Sequence, residues 1–350
     1  MQQDGISRQT TETLRRELPA LLEAVHERLS VDASFHCGEL SCDRLALSRE
    51  YNEQFGHVLL AVCDFGLLDH LQQEFGWLAG VLSRRGFAAG YFSRMLEAWS
   101  MATVTRLSAP EARELTVLLD GLRRNLGLVF EGQRREVALT REAQDFLGLL
   151  QAHRRRAAVE HALASLRQGM PIPEVVSAVV LPALARIGSF WESAALSAAE
   201  EHAATELCRY VLLRLFDSAV PDPGIGRRAL VACVPGEEHA LGALLVAEYL
   251  ALRGWDAFPV GHSAPQEDIL VGAAKFKPDV LFLSVTMVTN LPAARELVEA
   301  ARSSNPKLGI VIGGRAAEAA RQVFEAMGVA VLTRFDEAPA VGLAQAARDA

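Results

Sequence analysis

The stretch Pro221-Asp-Pro-Gly-Ile-Gly226 limits the fold more than any other feature, because this run of prolines and glycines cannot continue a helix and the chain changes character across it. Upstream, from residue 9 to about residue 220, no run reads as a strand. Apolar residues return every three or four places instead, as in Leu71, Phe75, Leu78 and Leu82 and again in Leu115, Leu118, Leu119 and Leu122, which is the repeat of an amphipathic helix. Downstream, short β-rich runs at 229–234, 257–260, 280–285, 309–312 and 329–332 alternate with helical segments. That alternation predicts a parallel, doubly wound five-stranded sheet. Ligands of such sheets bind at the carboxyl ends of the strands, and the loops after the first, third and fourth strands carry the unusual residues.

In the helical part the spacing predicts long helices over 9–29, 47–65, 67–85, 87–107 and 110–128. Ser108, with Pro110 in the first turn, and Ser197, three places before Glu200, read as helix starts, and Gly86 and Gly169 read as stops. A chain of 350 residues exceeds one hydrophobic core. The expected division is a helical domain over 1–135, a four-helix bundle over 136–222 and the α/β domain over 223–350. A net charge of −8 argues against a broad nucleic-acid surface, and Arg154-Arg155-Arg156 reads as the solvated face of a helix. Charges break the apolar runs short of a membrane-spanning length, and Met1-Gln-Gln-Asp4 has no leader pattern, so a cytoplasmic location is expected. The five cysteines, at 37, 42, 63, 208 and 233, form neither a disulfide framework nor a Cys-x-x-Cys zinc pair, and most are expected to be reduced core residues.

The loop after the first strand reads Glu237-Glu238-His239-Ala240-Leu241-Gly242. It resembles the Asp-x-His-x-x-Gly signature of cobalamin-binding domains, with Glu237 in place of the Asp. The resemblance implies a Rossmann-like domain in which His239 displaces the cofactor's own dimethylbenzimidazole and ligates cobalt from below. An imidazole suits a transition metal, and an acidic residue two places earlier can hold its other nitrogen. Gly242 would let the backbone approach the corrin. Ser284-Val285-Thr286 ends the third strand and resembles the family's Ser-x-Leu or Ser-x-Thr, whose hydroxyls line the channel for the displaced nucleotide tail. Gly313-Gly314 ends the fourth strand and resembles the pair that leaves room for that tail. Singly these are a loop histidine, a turn serine and a turn glycine pair; their order at successive strand ends selects the cobalamin reading.

Upstream, Trp191 and Glu201-His202 form Trp-x9-Glu-His. This resembles the motif of light-sensing cobalamin regulators, whose four-helix-bundle cap covers the upper face of the corrin. By that resemblance Trp191 packs on the 5'-deoxyadenosyl group of adenosylcobalamin, Glu201 contacts the same group, and His202 binds cobalt after light breaks the Co–C bond. Ala194, Ala195, Ala198 and Ala199 leave space for the adenosyl group. The plain alternative is a bundle-core Trp beside a surface Glu-His pair. Corrinoid methyl carriers of methyltransferase systems share cap and sheet, so a carrier is the runner-up and a passive cobalamin-binding protein the third reading. Nothing here supplies the barrel of a cobalamin mutase, and a non-enzyme is expected.

Light-sensing regulators of this type usually begin with a helix-turn-helix domain, and this chain begins with long helices. Their count, and the segment around Trp77, resemble the globin-like, non-haem photoglobins, which in photocobilins hold biliverdin beside a cobalamin domain. The resemblance implies a pocket in which His57 and His70 meet pyrrole nitrogens, Arg84 and Arg85 pair with propionates, and Trp77, Tyr91 and Phe92 stack on the rings. Cys37, Cys42 or Cys63 would supply a thioether if the bilin were covalent. Each of these residues has a plain reading as core or surface, and haem on His57 or His70 is the alternative ligand. With no kinase, cyclase or DNA-binding motif in view, output is expected through a homodimer or an unidentified protein partner, with no nucleic-acid or membrane partner.

Overall fold

The computed structural model describes residues 6–31, 41–127 and 138–348, which fall into two compact units, Met1–Glu136 and Val137–Ala350. The described residues of the first unit are helical: α1 (Arg8–Ser30), α2 (Ser41–Phe65), α3 (Leu68–Arg84), α4 (Ala89–Arg106) and α5 (Ala109–Arg124). Their ends follow local chemistry. The Ser7 hydroxyl accepts the Thr10 N–H at 3.2 Å to start α1, and the Glu111 carboxylate accepts the N–H of Ser108 at 3.1 Å and its hydroxyl at 2.6 Å to start α5. Gly86, at φ +89°, supplies the left-handed turn that ends α3. Helix α2 begins at Ser41 rather than near residue 47, because its polar first turn carries no apolar repeat.

The core of this unit is aromatic. The Phe55 ring meets Phe75 and Trp99 edge-on at centroid distances of 5.4 and 5.5 Å, and Phe75 meets Phe92 at 6.5 Å. Buried Asn52 ties it together: its amide nitrogen donates to the Ser48 carbonyl at 2.8 Å and to the Tyr91 hydroxyl at 3.1 Å, and its oxygen accepts the Trp99 indole N–H at 3.0 Å. Tyr91 and Phe92, both expected to stack on a chromophore, are buried in this aromatic core. His57 and Arg84 are exposed, while His70, Trp77 and Arg85 are half-buried. Cys63 is buried, and burial, with the nearby Asp64 and Glu114 charges, pushes its thiol up to about 12. Cys37 and the side chain of Cys42 lie outside the described residues.

The second unit opens with four helices, α6 (Arg141–Gln151), α7 (Arg155–Arg167), α8 (Ile172–Glu192) and α9 (Ala198–Asp217). Pro182 has no N–H to give to α8, and a π-helical turn over Val176–Val180 stands just ahead of it. By length and composition α8 could cross a membrane, with a mean hydropathy of 1.4, against the expectation that every apolar run stops short. Here its Val175, Val176, Val179, Val180, Ala183 and Ile187 pack inside the bundle. Arg155 does not simply face water either: its guanidinium lies 3.7 Å from the Tyr210 ring centroid.

The α/β part follows as β1 (Arg228–Cys233), α10 (Leu241–Leu252), β2 (Asp256–Gly261), α11 (Gln266–Phe276), β3 (Val280–Ser284), α12 (Leu291–Ser304), β4 (Gly309–Gly313), α13 (Arg315–Ala319), α14 (Arg321–Ala326), β5 (Ala330–Leu332) and α15 (Ala338–Arg348). All pairings are parallel, in the order β2-β1-β3-β4-β5. The order reverses between β1 and β3, which opens a crevice at their carboxyl ends. Helix α10 is apolar around nearly its whole circumference because it is covered twice. Ala243, Val246, Ala247 and Leu250 pack on the sheet, and Leu245 belongs to the core of the four-helix bundle, with Leu241, Tyr249 and Leu252 against it. The stretch at 221–226 is held down as well: the Asp222 N–H donates to the Leu252 carbonyl at 2.8 Å, and a Cβ on Gly254, at φ +80°, would lie 2.3 Å from the Pro223 carbonyl oxygen.

Candidate functional site

Strand β1 ends at Cys233, and the loop that follows delivers Glu237 and His239 to the switch point. Glu237 is fully buried, an expensive place for a carboxylate unless its lone pairs are matched. They are. One oxygen, Oε1, accepts the His239 backbone N–H at 3.0 Å and faces the ring Nδ1 at 2.5 Å. The other, Oε2, accepts the N–H groups of Thr286 and Met287 at 2.8 and 3.0 Å and the Asn290 side-chain amide at 3.1 Å. Burial raises the carboxyl, but the bonds from the His239 ring and from the Met287, Thr286 and His239 backbone outweigh it and hold the group at about 2. An ionised carboxylate only accepts, so Nδ1 of His239 carries the proton and Nε2 presents a lone pair. The His239 side chain is 57% exposed.

A lone histidine of this kind does not cage a bare cation, and among the described residues no cluster of three His, Cys, Asp or Glu side chains is placed to hold one. It suits a metal that arrives with equatorial ligands of its own, as cobalt does in a corrin. The floor is shaped for a close ligand. A Cβ on Gly242 would stand 3.2 Å from the Ser284 hydroxyl, and one on Gly314, at φ +107°, would stand 2.2 Å from the Val285 carbonyl oxygen. Ser284, Thr286, Gly313 and Gly314 line one side of a cavity of about 280 Å³ between α10 and the sheet. Four of the predicted tail-channel positions thus border a single cavity, and Gly242 borders it from α10.

Sequence reasoning missed several neighbours. Asn290 and the Met287 N–H complete the hold on Glu237, and the segment Thr286-Met-Val-Thr-Asn290 gives no sign of it. The cavity also takes Ser177 and Leu181 from α8, and Thr333, Arg334 and Asp336 from the loop after β5. Beside His239, Glu238 accepts the Ser263 hydroxyl at 2.5 Å and lies 3.3 Å from His262 Nδ1.

In the bundle, Trp191 is half-buried near the end of α8, and Ala194 turns the chain in a left-handed conformation at φ +57°, which costs a non-glycine residue about 1 kcal/mol. Ser197 starts α9, its N–H and hydroxyl donating to Glu200 at 2.8 and 2.7 Å. One turn in, Glu201 accepts the Thr205 hydroxyl at 2.8 Å and lies 3.0 Å from His202 Nδ1. The His202 side chain is 78% exposed. Ala195, Ala198 and Ala199 are exposed around it.

Two family models match the second unit. A B12 binding domain model matches residues 227–343, and a second B12 binding domain model matches residues 142–215. The HTH-type transcriptional repressor CarH of Myxococcus xanthus, a repressor rather than an enzyme, is 29% identical over 174 residues, which are 49% of this chain and 58% of CarH. The chain thus spans less than two thirds of the length of that relative. Dimethylamine corrinoid protein 3 of Methanosarcina mazei is 28% identical over 83 residues, 23% of this chain and 50% of that one. The solved monomethylamine corrinoid protein of Methanosarcina barkeri superposes with a TM-score of 0.49 at 19% identity, covering 57% of this chain and 96% of that chain. The matched domains indicate a cobalamin cofactor for this chain.

Proposed function

We propose that this chain is a light sensor that binds adenosylcobalamin, with His239 as the lower cobalt ligand and His202 as the ligand gained in light. One observation carries the reading: the two histidines share one arrangement, each with Nδ1 on a carboxylate, Glu237 or Glu201, and each with a largely exposed ring. The bound cobalamin supplies the photochemistry, cleavage of its Co–C bond. Glu237 fixes the tautomer and the plane of His239, and Ser284, Thr286, Gly313 and Gly314 receive the nucleotide tail. Trp191 shields the upper group, and Glu201 orients His202. A ligand taken up by His202 would bear on α9, which packs on α10 within the second unit. The signal then leaves through a homodimer or a protein partner.

Spectra of the dark and illuminated protein loaded with adenosylcobalamin test this. The wild type is expected to give a stable photoproduct with histidine on both faces, and His202→Ala a different one. Identical photoproducts, together with methyl transfer from methylcobalamin to a corrinoid methyltransferase, would replace the sensor with a methyl carrier, the second reading that the likeness to dimethylamine corrinoid protein 3 favours.

For the first unit the proposal adds biliverdin. Its support is the photoglobin resemblance, and its candidates are His57, His70, Trp77, Arg84 and Arg85, with Tyr91 and Phe92 buried among aromatic rings. Added biliverdin should give a structured, red-shifted band; a Soret band with stoichiometric iron assigns haem instead.

A further inference from the structure

The cavity beside α10 is layered, and its layers differ in chemistry. Strand pairing puts Ser284, Gly313 and Leu332 on one rung at the carboxyl edge of the sheet, and Val231, Phe282 and Val311 on a rung two residues further in, about 7 Å deeper at the rise of a β-strand. From α10, Leu245 and Val246 border the same cavity. Four other polar side chains that border it have protein partners. The Ser177 hydroxyl donates to the Glu174 carbonyl at 3.5 Å, the Thr333 hydroxyl accepts from Arg321 at 2.9 Å, and Arg334 grips Asp336 through two bonds of 3.0 and 2.8 Å. On the sheet side a hydroxyl and a glycine thus stand on the outer rung, and the inner rung carries the aliphatic and aromatic side chains of Val231, Phe282 and Val311.

We propose that this inner layer selects a cobamide by its lower base, accepting a benzimidazole and discriminating against a purine. The inference rests on the reading above that the displaced nucleotide tail enters this cavity. A benzimidazole is an almost wholly apolar bicycle that Val231, Phe282, Val311 and Val246 can cover. Adenine carries further ring nitrogens and an exocyclic amine, and the inner rung offers them no partner. A buried polar group left unpaired in this way weakens binding by about tenfold to a hundredfold.

The test titrates the full chain with the hydroxo forms of three corrinoids: cobalamin, the cobamide with adenine as lower base, and cobinamide, which has no tail. The hydroxo forms keep the result independent of any role for the upper group. Each Kd is read from the shift of the visible spectrum. Wild type is expected to hold cobalamin more than about tenfold tighter than the adenine cobamide. Detaching the base from cobalt in solution costs the same whatever the protein, so it cancels when the ratio of the two Kd values is compared between wild type and Val311→Thr. That variant puts a hydroxyl on the inner rung and should shrink the ratio about fivefold, the worth of one neutral hydrogen bond. Val246→Thr does the same from α10 should Val311→Thr fail to fold. A wild-type ratio near one, or a ratio unchanged in both variants, overturns the selection. Cobinamide binding as tightly as cobalamin removes the tail from the cavity, and no spectral shift with any of the three overturns corrinoid binding itself.

Discussion

Replacing Glu237 with Gln exchanges one carboxylate oxygen for an amide NH2 at a fully buried residue that takes hydrogen bonds from His239, Thr286, Met287 and Asn290. The three donors at 2.8, 3.0 and 3.1 Å around Oε2 keep the amide oxygen on their side. The new NH2 then faces His239. Its backbone N–H is also a donor, so that bond is lost, and Nδ1 has to turn from donor to acceptor. Nε2 then carries the proton, and the lone pair offered to a metal is gone. A hydrogen bond to a charged group is worth about 1.5–3 kcal/mol. Losing one should lower the melting midpoint of a unit this size by about 4–8 °C. Removing the partner that orients a metal-binding histidine costs about 10–100-fold in affinity. Thermal unfolding without ligand and hydroxocobalamin titration measure the two effects, and Glu237→Asp, which keeps an acceptor-only group, should lose less affinity than Glu237→Gln. A Gln variant that melts within about 1 °C of wild type and keeps its Kd would refute the reasoning.

Gly314→Ala places a Cβ 2.2 Å from the Val285 carbonyl oxygen at φ +107°. It should cost more than about 2 kcal/mol in urea unfolding, and an unchanged midpoint would show that the β3 and β4 ends are not locked together there. Asn52→Ala strips the Trp99 indole of its acceptor and should destabilise the first unit by about 2–3 kcal/mol, followed by tryptophan fluorescence; a loss below about 0.5 kcal/mol counts against the buried network. Glu248, half-buried on α10, has its carboxyl raised by burial and by the Asp217 charge. It binds more protons folded than unfolded, so its own contribution to stability is fully present below about 4.5 and is lost as pH rises through the raised value. Glu248→Gln should flatten that fall and stabilise the protein at pH 7, and an unaltered slope of the midpoint against pH between 4.5 and 7 would contradict it.

The five strands could be found in the sequence because each is a short β-rich run closed by glycine, proline or a polar turn, and once they are ordered the loops that carry His239, Ser284 and Gly313 follow. The helices of both units were legible from apolar spacing and from the caps at Ser108 and Ser197. What spacing does not encode is which separate loops meet. Asn290 reaches Glu237 across 53 positions, and Arg321 reaches Thr333 beside the cavity, though neither belongs to a repeat or a motif. The π turn in α8 is equally silent, since Val176–Val180 reads as ordinary helix until Pro182 is placed after it. Tyr91 and Phe92 meet a related limit: an aromatic that stacks on a chromophore and one that packs on Phe75 or Phe87 have the same helical spacing.

The two histidines are held with different firmness, and that difference bears on the roles proposed for them. Behind His239 stands a carboxylate with no exposure, pinned by donors from two other loop residues and a side-chain amide. Rotating that ring breaks its Nδ1 bond to a Glu237 oxygen that water does not reach, so under the proposed reading His239 would meet the cobalt already aimed and lose little ordering entropy on binding. Behind His202 stands Glu201, 23% exposed and bonded to Thr205 on the same helix. Water can replace either bond there, so His202 can swing without leaving a buried group unpaired. A rigid lower ligand and a swinging upper one are what a site requires if one axial bond is to stay while the other is exchanged.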